Sequence, residues 1–292
     1  MSENKNFSAL FLLIILSLIW GTSFILIKQG LKVFPPDQVG AIRVLAASIF
    51  LLPLAIPHLK ELKQGDHFKL LVSGLMAIFI PAFLFAIAQT HLESSLTGIL
   101  NTLSPVFMAI VGTLFFHQRF KGFAILGIAL SMAGAILLTI TQTDNTSFQF
   151  NSYALLVVIA CAFYGANLNW VKFKITGLGS ITITSVSLLF IGPLAAAYLF
   201  GFTDFISILQ NAPNAWKAFG FIVVLALMST AVANLIFNRL IKISTPLYAS
   251  SVTYLMPIVS VMWGVLDGEH LVMGHFIGMA AILTGVYLAN RK

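Results

Sequence analysis

The sequence predicts an all-α integral membrane fold with ten transmembrane helices, arranged as two inverted five-helix repeats. Three observations predict it. The chain carries too little charge for a water-facing surface, its apolar runs have bilayer length, and residue spacings from its first half recur in its second. Of 292 residues, 59% are apolar and 9% charged, against about 25% charged in a soluble domain. A soluble chain of this length still needs a charged exterior. Nine acids and sixteen Lys and Arg do not supply one, so lipid is the solvent for most of the chain.

Every acid (Glu3, Asp37, Glu61, Asp66, Glu93, Asp144, Asp204, Asp267 and Glu269) falls in or beside a short polar gap. The runs between the gaps lie near 8–29, 38–57, 68–89, 95–116, 122–141, 152–171, 180–201, 217–238, 247–266 and 272–289. Each can cross about 30 Å of hydrocarbon at about 1.5 Å per residue. Backbone polar groups must be paired inside lipid, so each run is expected to be a helix. The period-two alternation of a membrane barrel is missing from them. In the first run, Lys5 followed by Phe7–Ile19 has the charged and apolar parts of a signal peptide. No small-x-small cleavage site follows before Lys28 and Pro35-Pro36, so it is read as an uncleaved span.

Orientation follows from the basic residues. With the N-terminus in the cytoplasm, that side receives Lys5, Lys60, Lys63, Lys69, Arg119, Lys121, Lys172, Lys174, Arg239, Lys242, Arg291 and Lys292. The other side receives Lys32 and Lys217, while Lys28 and Arg43 fall inside spans. Twelve against two is a strong positive-inside bias, placing both termini in the cytoplasm. It also accounts for the net charge of +7 with no nucleic-acid partner. Lone Cys161 sits inside a span, where a buried reduced thiol is expected.

Two repeats are expected, 8–141 and 152–289. Trp20-Gly21 and Lys28 are echoed by Tyr164-Gly165 and Lys172, Pro105 and Gly112 by Pro257 and Gly264, and Gly127 and Gly134 by Gly278 and Gly285. An odd number of spans per repeat turns the second one upside down in the membrane. Such inverted repeats build secondary transporters whose solute site lies near the midplane between them; duplication for packing alone is the plainer alternative.

The same residues resemble the EamA-type family of the drug/metabolite transporter superfamily. The resemblance rests on Trp20-Gly21-Thr22-Ser23 through Lys28, on Arg43 near the start of the second span, on Ser104-Pro105-Val106-Phe107 in the fourth, and on Tyr254-Leu255-Met256-Pro257-Ile258-Val259 with Gly268-Glu269 in the ninth. It covers nearly the whole chain. The family's fourth span usually closes with Gly-Glu, where this chain has His117-Gln118. Membership implies ten helices and the export or uptake of amino acids and related metabolites. With the lack of other targeting signals, it implies the inner (plasma) membrane of a bacterium.

Candidates for a solute pathway come from polar and aromatic groups inside the spans. A central Lys or Arg costs about 2.5–3.5 kcal/mol on the insertion scale and usually faces protein, which selects Lys28 and Arg43. Snorkelling to the headgroups is the alternative for Lys28. Gln89, Asn101, Ser104, Asn167, Asn169, Thr253 and Asn234 form a second tier, for which hydrogen bonding between helices is the plainer reading. Pro105 and Pro257 leave the carbonyls of Asn101 and Thr253 without their helical donors. These matched kinks are therefore the preferred solute site. Trp20, Tyr164, Tyr254 and Trp263 are placed near it as a stacking surface, whereas Trp216 and Trp170 suit the membrane interface. Gly274-x-x-x-Gly278 has close-packing spacing, fitting a scaffold or a homodimer face.

Other function classes lack their motifs. The sequence has no P-loop, no H-E-x-x-H and no zinc-spaced cysteines, so no metal, cofactor or catalytic residue is expected. An intramembrane enzyme and a non-transporting scaffold or sensor stay as alternatives. With no carboxylate in mid-span, the expected carrier runs on the solute gradient, or is coupled weakly through groups at the helix ends. A cavity holding Lys28 and Arg43 with no compensating acid should favour carboxylate-bearing or zwitterionic solutes.

Overall fold

The structure is a computed structural model that describes residues 3–117, 122–140, 151–243 and 252–290. Among them there is no strand. Ten long helical segments follow in order: α1 Glu3–Leu31, α2 Pro36–His58, α3 Asp66–Ala88, α4 Ser94–Phe116, α5 Gly122–Ile140, α6 Ala154–Lys174, α7 Ser180–Gly201, α8 (Ala215–Leu225 continuing through Ala226–Val232 to Ala233–Ile243), α9 Val252–Leu266 and α10 Met273–Asn290. A short helix, Phe205–Asn211, links α7 to α8. Seven helices are long and apolar enough to cross a membrane, and three shorter apolar stretches lie at Ile125–Leu138, Leu255–Leu266 and Met273–Leu288.

Local sequence explains the breaks. Pro36 opens α2 at its first turn, where the missing N–H costs nothing, and Asp37 adds a negative charge to the dipole's positive end. Two helices contain a π-helical turn, Leu75–Phe79 in α3 and Ala226–Val232 in α8. In α3 the cause is Pro81, whose ring cannot accept the carbonyl of residue 77 in a normal turn. Helix α4 tightens to a 3₁₀ turn at Asn101–Leu103, just before Pro105.

Packing pairs the helices in a repeating scheme. Helix α1 lies against α9 and α8, and α6 lies against α4 and α3; α2 pairs with α7, and α5 with α10. Two glycines set close crossings at the matched aromatic-glycine pairs. A Cβ on Gly21 of α1 would sit 2.5 Å from Val259 Cβ and 2.9 Å from the Met256 carbonyl of α9. A Cβ on Gly165 of α6 would meet Met108 N at 2.5 Å on α4. This gives the two aromatic-glycine pairs a physical reason: the glycine admits a neighbouring backbone, and the aromatic beside it is free to face inward.

The main apolar core holds Phe24, Ile27, Phe85, Leu100, Leu103, Val157 and Cys161, at the meeting of α1, α3, α4 and α6. Outside, large apolar side chains are exposed, among them Leu114, Phe115, Phe123, Leu126 and Phe202. Such a surface is costly in water and natural in hydrocarbon. One end of the bundle gathers Glu61, Lys69, Phe116 and Trp170; the opposite end gathers Lys28, His91, Asp267 and Glu269.

Candidate functional site

A cavity of about 240 Å³ lies between the helices, lined by residues of α1, α2, α3, α4, α6, α8 and α9. Helical periodicity selects its walls. Trp20, Ser23, Phe24 and Ile27 form one face of α1, and Asn101, Ser104, Pro105 and Met108 one face of α4, each three, four and seven residues apart. Tyr164, Asn167 and Leu168 come from α6, and Val252, Thr253 and Met256 from α9. Both π turns reach the cavity, through Ala77 and Ile78 in α3 and through Ser229 and Thr230 in α8. Irregular backbone at membrane depth is tolerated where it borders a cavity.

The carbonyls of the α8 π turn are held by side chains. Trp20 Nε1 donates to the Ser229 carbonyl at 3.1 Å, and Asn234 Nδ2 donates to the Thr230 carbonyl at 2.6 Å. Ser23 Oγ donates to Ser229 Oγ at 2.7 Å. Among the described residues, Arg43 is the single charged one on the wall. Its Nε donates to Thr230 Oγ1 at 2.9 Å, and among the described residues no acid pairs with it. A guanidinium has five N–H donors in a planar fork, so the wall presents a cation suited to an anionic ligand group. Phe85 and Tyr164 stack with ring centres 6.0 Å apart and, with Trp20 and Phe237, make the rest of the surface aromatic.

Of the residues expected on a solute pathway, Trp20, Arg43, Asn101, Ser104, Tyr164, Asn167, Thr253 and the kink residue Pro105 line this cavity, as does Asn234. Pro257 lies inside α9 off the wall, and its carbonyl accepts from Ser260 Oγ. The Asn101 carbonyl freed by Pro105 is already taken: Ser104 Oγ donates to it at 2.8 Å, with the Cys161 thiol at 3.7 Å. Asn169 bridges α6 to α4 by donating to the Met108 carbonyl at 2.9 Å. Trp263 faces outward and donates to Thr22 Oγ1. Gln89 is buried at the end of α3, off the wall, with its amide atoms unpartnered. The side chain of Tyr254 lies outside the described residues, as do Gln118 and the segment 244–251.

Lys28 also lies away from the cavity wall, and it has acids. Its Nζ stands 2.8 Å from Asp267 Oδ2 and 2.8 Å from Glu269 Oε1. Glu269 also accepts from the backbone N–H groups of Ser94 and Ser95 at 2.9 and 3.0 Å, and from Ser94 Oγ at 2.6 Å. One buried carboxylate thus ties α1, the start of α4 and the α9–α10 connection together. The expected cavity with two uncompensated cations is replaced by one with a single cation, Arg43. Burial works against charge on Glu269, but Lys28 and the serine donors outweigh it and hold its pKa down at about 2. Sequence reasoning missed Ser23, Ser229 and Thr230. Their signal was the helical spacing from Trp20 to Ile27 and an adjacent polar pair inside an otherwise apolar run.

Comparisons with known proteins agree with this architecture. The EamA-like transporter family matches residues 7–140 and again 151–291. An uncharacterized transporter of Archaeoglobus fulgidus is 23% identical over 94% of this chain and 95% of its own. YedA, an uncharacterized inner membrane transporter of Escherichia coli, is 25% identical over 97% and 90%. A solved crystal structure superposes with a TM-score of 0.63 over 97% of this chain and 96% of that one, at 16% identity; at that identity the likeness shows the fold alone. The aromatic-walled cavity and its surrounding apolar helices therefore belong to a multi-pass membrane transporter, and the chain is a member of the EamA-like transporter family.

Proposed function

We propose that the protein is a secondary transporter that moves a small carboxylate-bearing or zwitterionic metabolite, an amino acid or an aromatic relative of one, by alternating access. The observation that carries this reading is Arg43, a cation on an aromatic cavity wall with no acidic partner among the described residues. A buried guanidinium is costly until an anion arrives, so binding energy concentrates on a solute carboxylate. The cavity volume sits below the usual range for drug-sized ligands, about 300–1,000 Å³, which favours a metabolite.

The wider frame is ten membrane-crossing helices in two inverted repeats, 8–141 and 152–289, with both termini cytoplasmic in a bacterial inner membrane. The reciprocal pairings of α1 with α9 and of α6 with α4, and the two π turns at like places in α3 and α8, support the repeat reading. In this frame the ionic end of the bundle is the non-cytoplasmic one. The Lys28–Glu269 ion pair stands at that end, next to Ile27 of the wall, and the cavity lining runs toward the cytoplasmic end along Met108, Leu168, Phe237 and Val252. A solute loaded from inside suits an exporter.

Counterflow in proteoliposomes tests the proposal with a panel of amino acids and the matching amines lacking the carboxylate. Acids should exchange and amines should not, and Arg43→Gln should slow exchange of the acids at least tenfold, about 1.4 kcal/mol. Equal exchange of both classes by the native protein, or full exchange by Arg43→Gln, would remove Arg43 as the carboxylate site.

A further inference from the structure

The ionic end holds a third carboxylate, one that the ion pairs leave out. Glu93 immediately precedes α4, beside the serines that clasp Glu269, and its Oε2 is buried with no hydrogen-bond partner among the described residues. The charged and titratable groups around this junction are Lys28 of α1 and Lys32 just after it, Glu269, Asp267 and His270 of the α9–α10 connection, and His91 of its own loop, whose ring stacks on Tyr153 at 4.0 Å. Lys28, the single cation facing Glu93 among them, is already committed to Asp267 and Glu269. Ionising Glu93 would thus add a third carboxylate to a cluster in which Lys28 already bridges two and Lys32 stands by Asp267 at 4.0 Å, next to a carboxylate that cannot move without releasing the start of α4.

We propose that Glu93 is a proton-binding site that controls the non-cytoplasmic gate: the gate formed by Lys28, Asp267, Glu269, Ser94 and Ser95 is shut when Glu93 is protonated and loosens when it ionises. The repulsion falls on Glu269, whose displacement frees Lys28 and uncaps α4. Burial, and then the negative charge of Glu269, push the Glu93 pKa up to about 7, against the opposing pull of Lys28. A carboxyl whose pKa is raised in the closed state binds its proton more tightly there than in the open state. Closure is therefore favoured as pH falls below about 7 and lost above it. Glu269, held near 2, keeps its charge throughout. The inference rests on the inward-extending cavity of the proposed carrier, but its readout requires neither a known solute nor transport.

The test is external accessibility of the cavity. Cys161→Ser removes the only cysteine, and Ser23→Cys places a thiol on the cavity wall. A membrane-impermeant maleimide is applied from outside, and labelling is divided by that of Lys217→Cys, at an exposed position on the same side, to cancel the pH dependence of thiol chemistry. The ratio should rise several-fold between pH 5.5 and 8.5. Glu93→Gln should hold it low and flat, Glu93→Ala should flatten it too, and Glu269→Gln should raise it at every pH. A ratio independent of pH in the otherwise native protein, or a rise that survives in Glu93→Gln or Glu93→Ala, would overturn the assignment.

Discussion

A tryptophan and an arginine show how single residues define the cavity. Trp20 presents its ring to the cavity and spends its only donor on the Ser229 carbonyl that the π turn leaves open. Trp20→Phe keeps most of the ring and loses that donor, so it should lower thermal stability by about 1–2 kcal/mol, measurable as a reduced melting temperature in detergent. Both residues were legible in the sequence, because a charge or a cavity-sized aromatic inside a lipid-length run has few places to go. Lys28 was legible only as a charge. Its partners Asp267 and Glu269 lie some 240 positions away, and the sequence gives no measure of that proximity. The serines of the cavity were hidden for a different reason: Ser and Thr can return their hydroxyl to a carbonyl in their own helix, as Ser17 and Ser185 do, so the residue type alone does not separate the two fates.

At the scale of the helix, breaks and glycines carry the information. The lengths and order of the helices followed from hydropathy, with ends shifted by a few residues. The π turns did not, since only the α3 turn has a proline to announce it and the α8 turn depends on contacts made by α1. Glycines have opposite consequences depending on what faces them. Gly165→Leu would drive a side chain into the backbone of α4 at Met108 and Phe107, which cannot yield as a flexible side chain would. It should cost about 3 kcal/mol or more, seen as lost folded yield in size-exclusion chromatography. Gly220→Ala, at an exposed site with nothing within 4 Å of the new methyl, should be neutral or stabilise by about 0.5–1 kcal/mol. A matched effect at both sites would mean that the close α4–α6 crossing is not a feature of the folded protein.

For the whole molecule, the decisive question is how the halves sit in the membrane. The inverted-repeat reading requires reporters at residues 1 and 292 to be protected from an external protease in intact cells and cleaved after the membrane is opened. Cleavage of one terminus alone in intact cells would break the relation between the halves. The recurring spacings in the sequence were enough to suggest the duplication, and Gly21, Gly134, Gly165, Gly278 and Gly285 among them sit where another helix comes close. They could not show that one end is tied together by ion pairs, because that depends on side chains from distant segments converging on Glu269.

If the two repeats were chemically identical, exchanging their conformations would interconvert the inward- and outward-facing forms, and both would have the same free energy. The ion pairs of Lys28 remove that degeneracy, because His117-Gln118 stands where the counterpart of Gly268-Glu269 would be. A carrier biased this way rests with one face available, and the apparent affinity for solute arriving at the other face is weakened by the fraction of time that face is hidden. Since no carrier can shift the equilibrium of a passive exchange, the weaker half-saturation on one side must be matched by a faster maximal rate from it. Flux at low solute concentration, set by the ratio of the two, is therefore equal in both directions, and the asymmetry shows only as the carrier approaches saturation.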